Sequence, residues 1–112
     1  MTRDDAAILD ILRAARLART FVAGMDRHSF LADDKTQSAV VPQLLVIGEA
    51  AKRVSDSMRA AQPAVPWASM TGMRDKLIHE YDDVDLEEVW QTVARDLPSL
   101  IAALAPLAGE TA

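Results

Sequence analysis

Apolar residues recur at intervals of three and four along most of this chain, and no run of alternating β-branched residues is long enough to make a strand. Four glycines and five prolines are also too few for the many turns of a sandwich or barrel. The expected fold class is therefore all-α. Ile8, Ile11, Ala15, Ala18 and Val22 mark one stripe, which predicts a helix over residues 4–23 with Thr2 as its N-cap and Gly24 as its C-cap. Residues 25–33 read as a loop or short turn. A second long helix is expected over 34–61, with Val41, Leu44, Ile47, Gly48, Ala51, Val54 and Met58 in register. Pro42 falls inside it and predicts a kink near 38–42, because proline removes a backbone donor and crowds the carbonyl four residues back.

Residues 62–66 end that helix, and Pro66 suits the first position of a shorter one reaching His79. Asp85-Leu86-Glu87-Glu88 reads as a capping box opening the last helix. Its stripe runs through Leu86, Val89, Trp90, Val93, Leu97, Leu100, Ile101 and Leu104, with a kink expected at Pro98. Four main helices on short connections make an antiparallel four-helix bundle with a short extra helix the economical packing. The 112 residues fit one domain over 1–112, with no second catalytic module. Trp67, Trp90 and the five methionines are assigned to the core, and the two tryptophans are too far apart in sequence to be read as a base-stacking platform.

Absence of cysteine excludes disulfides, thiolate metal sites and a cysteine nucleophile. No apolar run approaches the roughly 18 residues of a membrane span, so no membrane association and a cytoplasmic location are expected. The net charge of −5 opposes extended nucleic-acid binding, but it is unevenly spread. Residues 52–77 carry five basic side chains against two acidic, whereas 79–112 carry one against eight. A local basic surface remains available.

His28 stands alone. Side-chain chemistry concentrates instead in Met73-Arg74-Asp75-Lys76-Leu77-Ile78-His79-Glu80-Tyr81, which holds a fixed cation, a group able to exchange protons near neutrality and a phenol. These types suit phosphodiester cleavage without a metal. An arginine can hold non-bridging phosphate oxygens and stabilise charge growing on them, and a histidine can take the 2′-hydroxyl proton of a ribose or give one to the 5′ leaving oxygen. RNA, with its internal nucleophile, is the better substrate. Arg74 and His79 lie five residues apart, about 140° around an ideal helix, so one chain brings them together only if the helix loosens. A site shared by two copies removes that difficulty.

Spacing alone favours a bland reading. Arg74 then pairs with an acid on a solvated face, His79 faces a helix C-terminus and Tyr81 covers the core edge. Glu49 is either a buried partner for the site or a polar residue at the stripe's edge. His79 with Glu80, Asp82, Asp83 and Asp85 lacks any fixed metal-ligand spacing and reads as a solvated acidic loop plus a helix cap, with no metal.

A longer string decides between them. Pro66-Trp67-Ala68-Ser69-Met70-Thr71-Gly72-Met73-Arg74-Asp75-Lys76-Leu77-Ile78-His79-Glu80-Tyr81, followed by Val84-Asp85 and Val89-Trp90, resembles the HepT toxins of the HEPN superfamily, including their Arg-x-x-x-x-His-x-Tyr motif. Gly48-Glu49-Ala50-Ala51-Lys52-Arg53 and Asp96-Leu97-Pro98 fit as well, so the likeness extends over about residues 4–104. The resemblance implies a HEPN-like helical bundle that forms a homodimer through the motif face. It also implies a metal-independent endoribonuclease, without a cofactor of its own, serving as the toxin of a toxin–antitoxin pair. Arg74 and His79 then match the catalytic pair, Asp75 the polar position after the arginine, and Glu49 a supporting one. The implied partner is an MntA-like nucleotidyltransferase antitoxin that uses ATP to place AMP on Tyr81. The alternatives are a non-catalytic helical module that docks such a nucleotidyltransferase, and a neutraliser of a toxic one.

Overall fold

A computed structural model describes residues 2–80 and 82–110 of the chain. Among the described residues the regular structure is entirely helical. Helix α1 spans Arg3–Phe21, opened by a reciprocal Thr2–Asp5 capping box, and Gly24 closes the following turn at φ +79°, a conformation that excludes ordinary side chains. Residues 25–33, expected as loop or turn, contain the short helix α2, Arg27–Leu31. An Asp26–Ser29 capping box starts it, and its Phe30 is fully buried with its ring 5.4 Å from that of Trp90.

Helix α3 spans Asp34–Lys52 and runs through Pro42 without a break, contrary to the expected kink. Pro42 and Ser38, whose carbonyl loses its helical donor, are both exposed, so water can satisfy the orphaned oxygen. The expected helix over 34–61 is in fact two. Ser55 caps a separate helix α4, Asp56–Ala61, and Asp4 accepts from both the Ser55 amide, at 2.8 Å, and its hydroxyl, at 2.6 Å, drawing the chain out of the α3 axis. The Arg53–Asp10 pair at 2.7 Å, with Ser55–Asp4, fixes α1 and α3 as an antiparallel hairpin.

Helix α5, Trp67–His79, has the expected bounds, with Pro66 as the flanking N-cap rather than the first helical position. The indole of Trp67 donates to the carbonyl of Gln62 at 3.0 Å. The last expected helix is a rod in parts: α6 (Leu86–Gln91), a π-helical turn (Thr92–Asp96), α7 (Leu97–Leu104) and a final 3₁₀ turn (Ala105–Ala108). Pro98 is the cause, since its ring crowds the carbonyl of Ala94 and a widened preceding turn moves that oxygen aside. The capping box at Asp85 is half formed. Asp85 accepts from the Glu88 amide, but the Glu88 carboxylate turns to Lys76.

The core joins Ile8, Ile11, Leu12, Phe30, Leu44 and Ile47 to Val89, Val93, Leu97 and Leu104. Trp67 and Met70 are buried as expected, and Trp90, Met25, Met58 and Met73 pack partly exposed against this core. The bundle is thus more subdivided than four helices with one extra. Among the described residues no polar or charged side chain is fully buried, so polar chemistry lies at the surface. No helix is long and apolar enough to cross a membrane.

Candidate active site

The site is built where α3 and α5 touch. A methyl group on Gly48 would stand 2.8 Å from the Met70 carbonyl oxygen and 2.9 Å from Arg74 Cγ, and closer still to Arg74 Cβ. Only a glycine lets the backbones approach this far. The contact sets the base of Arg74 directly on α3, with Glu49 and Lys52 on the neighbouring turns.

Four side chains meet there. Glu49 Oε1 accepts from Arg74 Nε, and Asp75 Oδ1 accepts from Arg74 Nη1 at 2.9 Å. The same Asp75 oxygen accepts from Lys52 Nζ at 2.8 Å. Two carboxylates thus orient the Arg74 guanidinium, whose side chain keeps 26% exposure. Asp75 chiefly, then Glu49, hold the guanidinium pKa above its usual value despite partial desolvation. The Lys52 ammonium, then Arg74, hold the Asp75 carboxyl below the usual carboxylate range. Glu49 meets Arg74 as one reading expected, but it is exposed, not buried.

His79 is the last residue of α5, which stays α-helical up to it. The loosening that would bring it round to Arg74 within one chain does not occur, and about 140° of helix separates them. It lies exposed in a shallow hollow of about 450 Å³ bordered by Lys76, Glu80, Asp82, Asp83 and Asp85. That setting repels phosphate by itself, since among the described residues bordering it the one cation, Lys76, already pairs with Glu88. Glu88 also raises the Lys76 pKa. Tyr81 lies outside the described residues. His28, on α2, is exposed and belongs to no cluster with these groups.

Around Arg74 the surface turns apolar. Ile78, one turn on along α5, and Val46, one turn before Glu49 on α3, are each 43% exposed. A separate groove of about 680 Å³ between α5 and the C-terminal rod, lined by Leu44, Met70, Met73, Leu97 and Leu100, contains neither Arg74 nor His79. Among the described residues no three His, Asp or Glu side chains gather as metal ligands. Reading single positions missed the role of Lys52. The signal was its spacing from Gly48 and Glu49, four and three residues, which puts all three on one face of a helix.

The small all-helical bundle is of the HEPN-like class. Residues 11–107 match the family described as "Ribonuclease HepT-like", and the chain belongs to this HepT-like ribonuclease family. It is 44% identical over 91 residues to "Probable ribonuclease HepT" of Thermococcus cleftensis, covering 81% of this chain and 83% of that one. It is 39% identical over 94 residues to a Methanocaldococcus jannaschii protein named "Putative RNase", covering 84% and 78%. A Caldanaerobacter subterraneus protein also named "Putative RNase" is 39% identical over 79 residues, 70% of each chain. No solved structure matches the chain.

Proposed function

We propose that this protein is a metal-independent endoribonuclease whose active site is completed by a second copy of the chain. The observation that carries the reading is the Arg74 cluster: a guanidinium oriented by Glu49 and Asp75, partly open to solvent, with His79 on the far side of the same straight helix. Family membership supports RNA as the substrate. Exposed Ile78 and Val46 beside Arg74 support pairing of this face with its copy, since apolar side chains flanking a polar cluster gain by leaving water.

In the reaction, Arg74 holds the non-bridging oxygens of the scissile phosphate and His79 of the other copy moves the proton. The 2′-oxygen attacks phosphorus, the bond to the 5′-oxygen breaks, and the products are a 2′,3′-cyclic phosphate and a 5′-hydroxyl. Arg74 and its neighbour Lys52 offset the acidic border of His79, where Lys76 faces four acids and already pairs with Glu88. Biologically the protein acts as a toxin. Its control is AMP transfer from ATP onto Tyr81 by a partner nucleotidyltransferase: the phenol oxygen bonds to the α-phosphorus, pyrophosphate leaves, and the added charge and bulk block the RNA face.

The test is mixing. Arg74→Ala and His79→Ala should each lose about 10²–10⁴ in cleavage of single-stranded RNA in EDTA. Mixed and allowed to exchange subunits, they should regain activity, because one site per heterodimer has both groups intact. Wild-type protein that cleaves nothing sinks the enzyme reading in favour of a docking module, and mixtures that stay dead sink the shared site. For the toxin role, induced expression should arrest growth. Coexpression of the nucleotidyltransferase should relieve the arrest, with a gain in protein mass that Tyr81→Phe abolishes. Growth unaffected by the wild-type chain would refute it.

A further inference from the structure

Between residues 52 and 76 lie five basic side chains, and three are engaged away from the Arg74 cluster. Arg53 reaches Asp10 on α1 at 2.7 Å, Arg59 donates to the Ala51 carbonyl at 2.8 Å, and Lys76 pairs with Glu88. Lys52 and Arg74 differ. They come from different helices yet converge on one oxygen, Asp75 Oδ1, at 2.8 and 2.9 Å. An oxyanion oxygen held between an ammonium and a guanidinium at these distances has the coordination that a non-bridging phosphate oxygen takes.

We propose that Lys52 and Arg74 form a two-cation clamp for one backbone phosphate of RNA, and that Asp75 fills it in the free protein. The inference rests on RNA being the substrate. Exchange is electrically even, because a phosphodiester carries the same single charge as the carboxylate it displaces. Asp75 is free to turn out, with its side chain 49% exposed, and Arg74 stays oriented meanwhile by Glu49. Lys52 sits on the α3 side of Arg74, away from the motif helix that carries His79. Because Arg74 holds the scissile phosphate, Lys52 meets that same phosphate, through a non-bridging oxygen, and moves no proton.

Binding of a fluorescent single-stranded RNA oligonucleotide is titrated against salt on the His79→Ala background, so that the strand stays intact, while cleavage is followed separately in chains that keep His79. Lys52→Gln should reduce the slope of log affinity against log salt by about 0.7 and weaken binding about five-fold at 0.1 M salt, the share of one single-strand phosphate contact. Lys52→Arg should retain both. Arg53→Gln removes the same charge one residue away, from a side chain facing α1, and should leave the slope unchanged. Asp75→Asn, which removes the competing carboxylate, should tighten binding. In cleavage, Lys52→Gln should lower kcat/KM at least as much as it weakens binding. If RNA binds but Lys52→Gln behaves as Arg53→Gln does, or Asp75→Asn weakens binding, the clamp is wrong while the nuclease reading stands. Wild-type chains that bind RNA with the Lys52-dependent slope yet never cleave it would remove the nuclease and keep the clamp. Absence of all RNA binding overturns both.

Discussion

Replacing Gly48 by alanine tests the packing on which the site depends. The added methyl would lie 2.8 Å from the Met70 carbonyl oxygen, whereas ordinary contacts of this kind begin near 3.4 Å, and the base of Arg74 is nearer still. None of these atoms is the free end of a flexible side chain, so α3 and α5 must separate, by about 1 Å. Overpacking of this kind costs about 1–3 kcal/mol, and the tightness here points to the upper half of that range. Alanine's better helix propensity returns about 1 kcal/mol, since Gly48 lies inside α3 without a positive φ. The net expectation is a loss of about 1–2 kcal/mol, or roughly 4–12 °C in Tm for a domain this size. Gly72 on α5 is the control: a methyl there meets nothing within 4 Å, so Gly72→Ala should raise stability by about 0.5–1 kcal/mol. Thermal unfolding by circular dichroism gives both values. RNA cleavage should fall far more than stability in Gly48→Ala, up to about 10²-fold, because the shift carries Arg74 off its carboxylates. A Gly48→Ala protein as stable as Gly72→Ala would refute the close crossing.

Pro42→Ala should stabilise by about 2–2.5 kcal/mol in urea unfolding: a mid-helix proline costs about 3 kcal/mol, of which its stiffening of the unfolded chain returns about 0.4–1. A loss of stability would mean that the exposed ring packs usefully. Hydrogen bonds from Ser55 hold the Asp4 pKa below its ordinary value, Lys52 does the same for Asp75, and Arg16 for Glu110. A depressed folded-state pKa means stabilisation present above the unfolded pKa and lost as pH falls through the folded one. Tm should accordingly be nearly flat from about pH 7 to 5 and fall below about 4, less steeply in Asp4→Asn; a fall already complete at pH 5 would contradict these shifts. Glu49→Gln keeps an acceptor for Arg74 but removes the charge, and should lower kcat about tenfold with KM little changed. An unchanged kcat would mean that Asp75 alone orients the guanidinium.

What the chain's pattern discloses and what it hides follow from the range of the forces involved. Helical periodicity and caps are local, and Thr2, Gly24 and Asp85 act at helix ends within a few residues of where their chemistry puts them. The breaks depend on distant partners. Nothing near Ser55 reveals that Asp4 will accept two hydrogen bonds from it and divide one expected helix into two. Phe30 likewise ends up in a short helix because Trp90, 60 positions along, completes its burial. Pro42 and Pro98 have the same chemistry and opposite outcomes. Both rings are exposed, and the difference lies four residues back: Ser38 is exposed, so water can take its orphaned carbonyl, whereas Ala94 is half-buried, and there the helix widens instead.

The site divides along the same line. Arg74 and His79 stand out as candidates because cleavage chemistry needs their types, and their spacing around a helix already separates them. Lys52 looks like an ordinary basic residue until Gly48 brings α5 onto α3. A glycine that admits close backbone contact is thus as much part of the proposed phosphate clamp as the cations. It contributes no polar atom, but without it the two cations would not reach one oxygen. Gly48→Ala should therefore also lower the salt slope of RNA binding, as Lys52→Gln does, whereas Gly72→Ala should not. If Gly48→Ala lost stability yet kept the wild-type slope, Lys52 and Arg74 would be binding phosphate independently of the helix crossing.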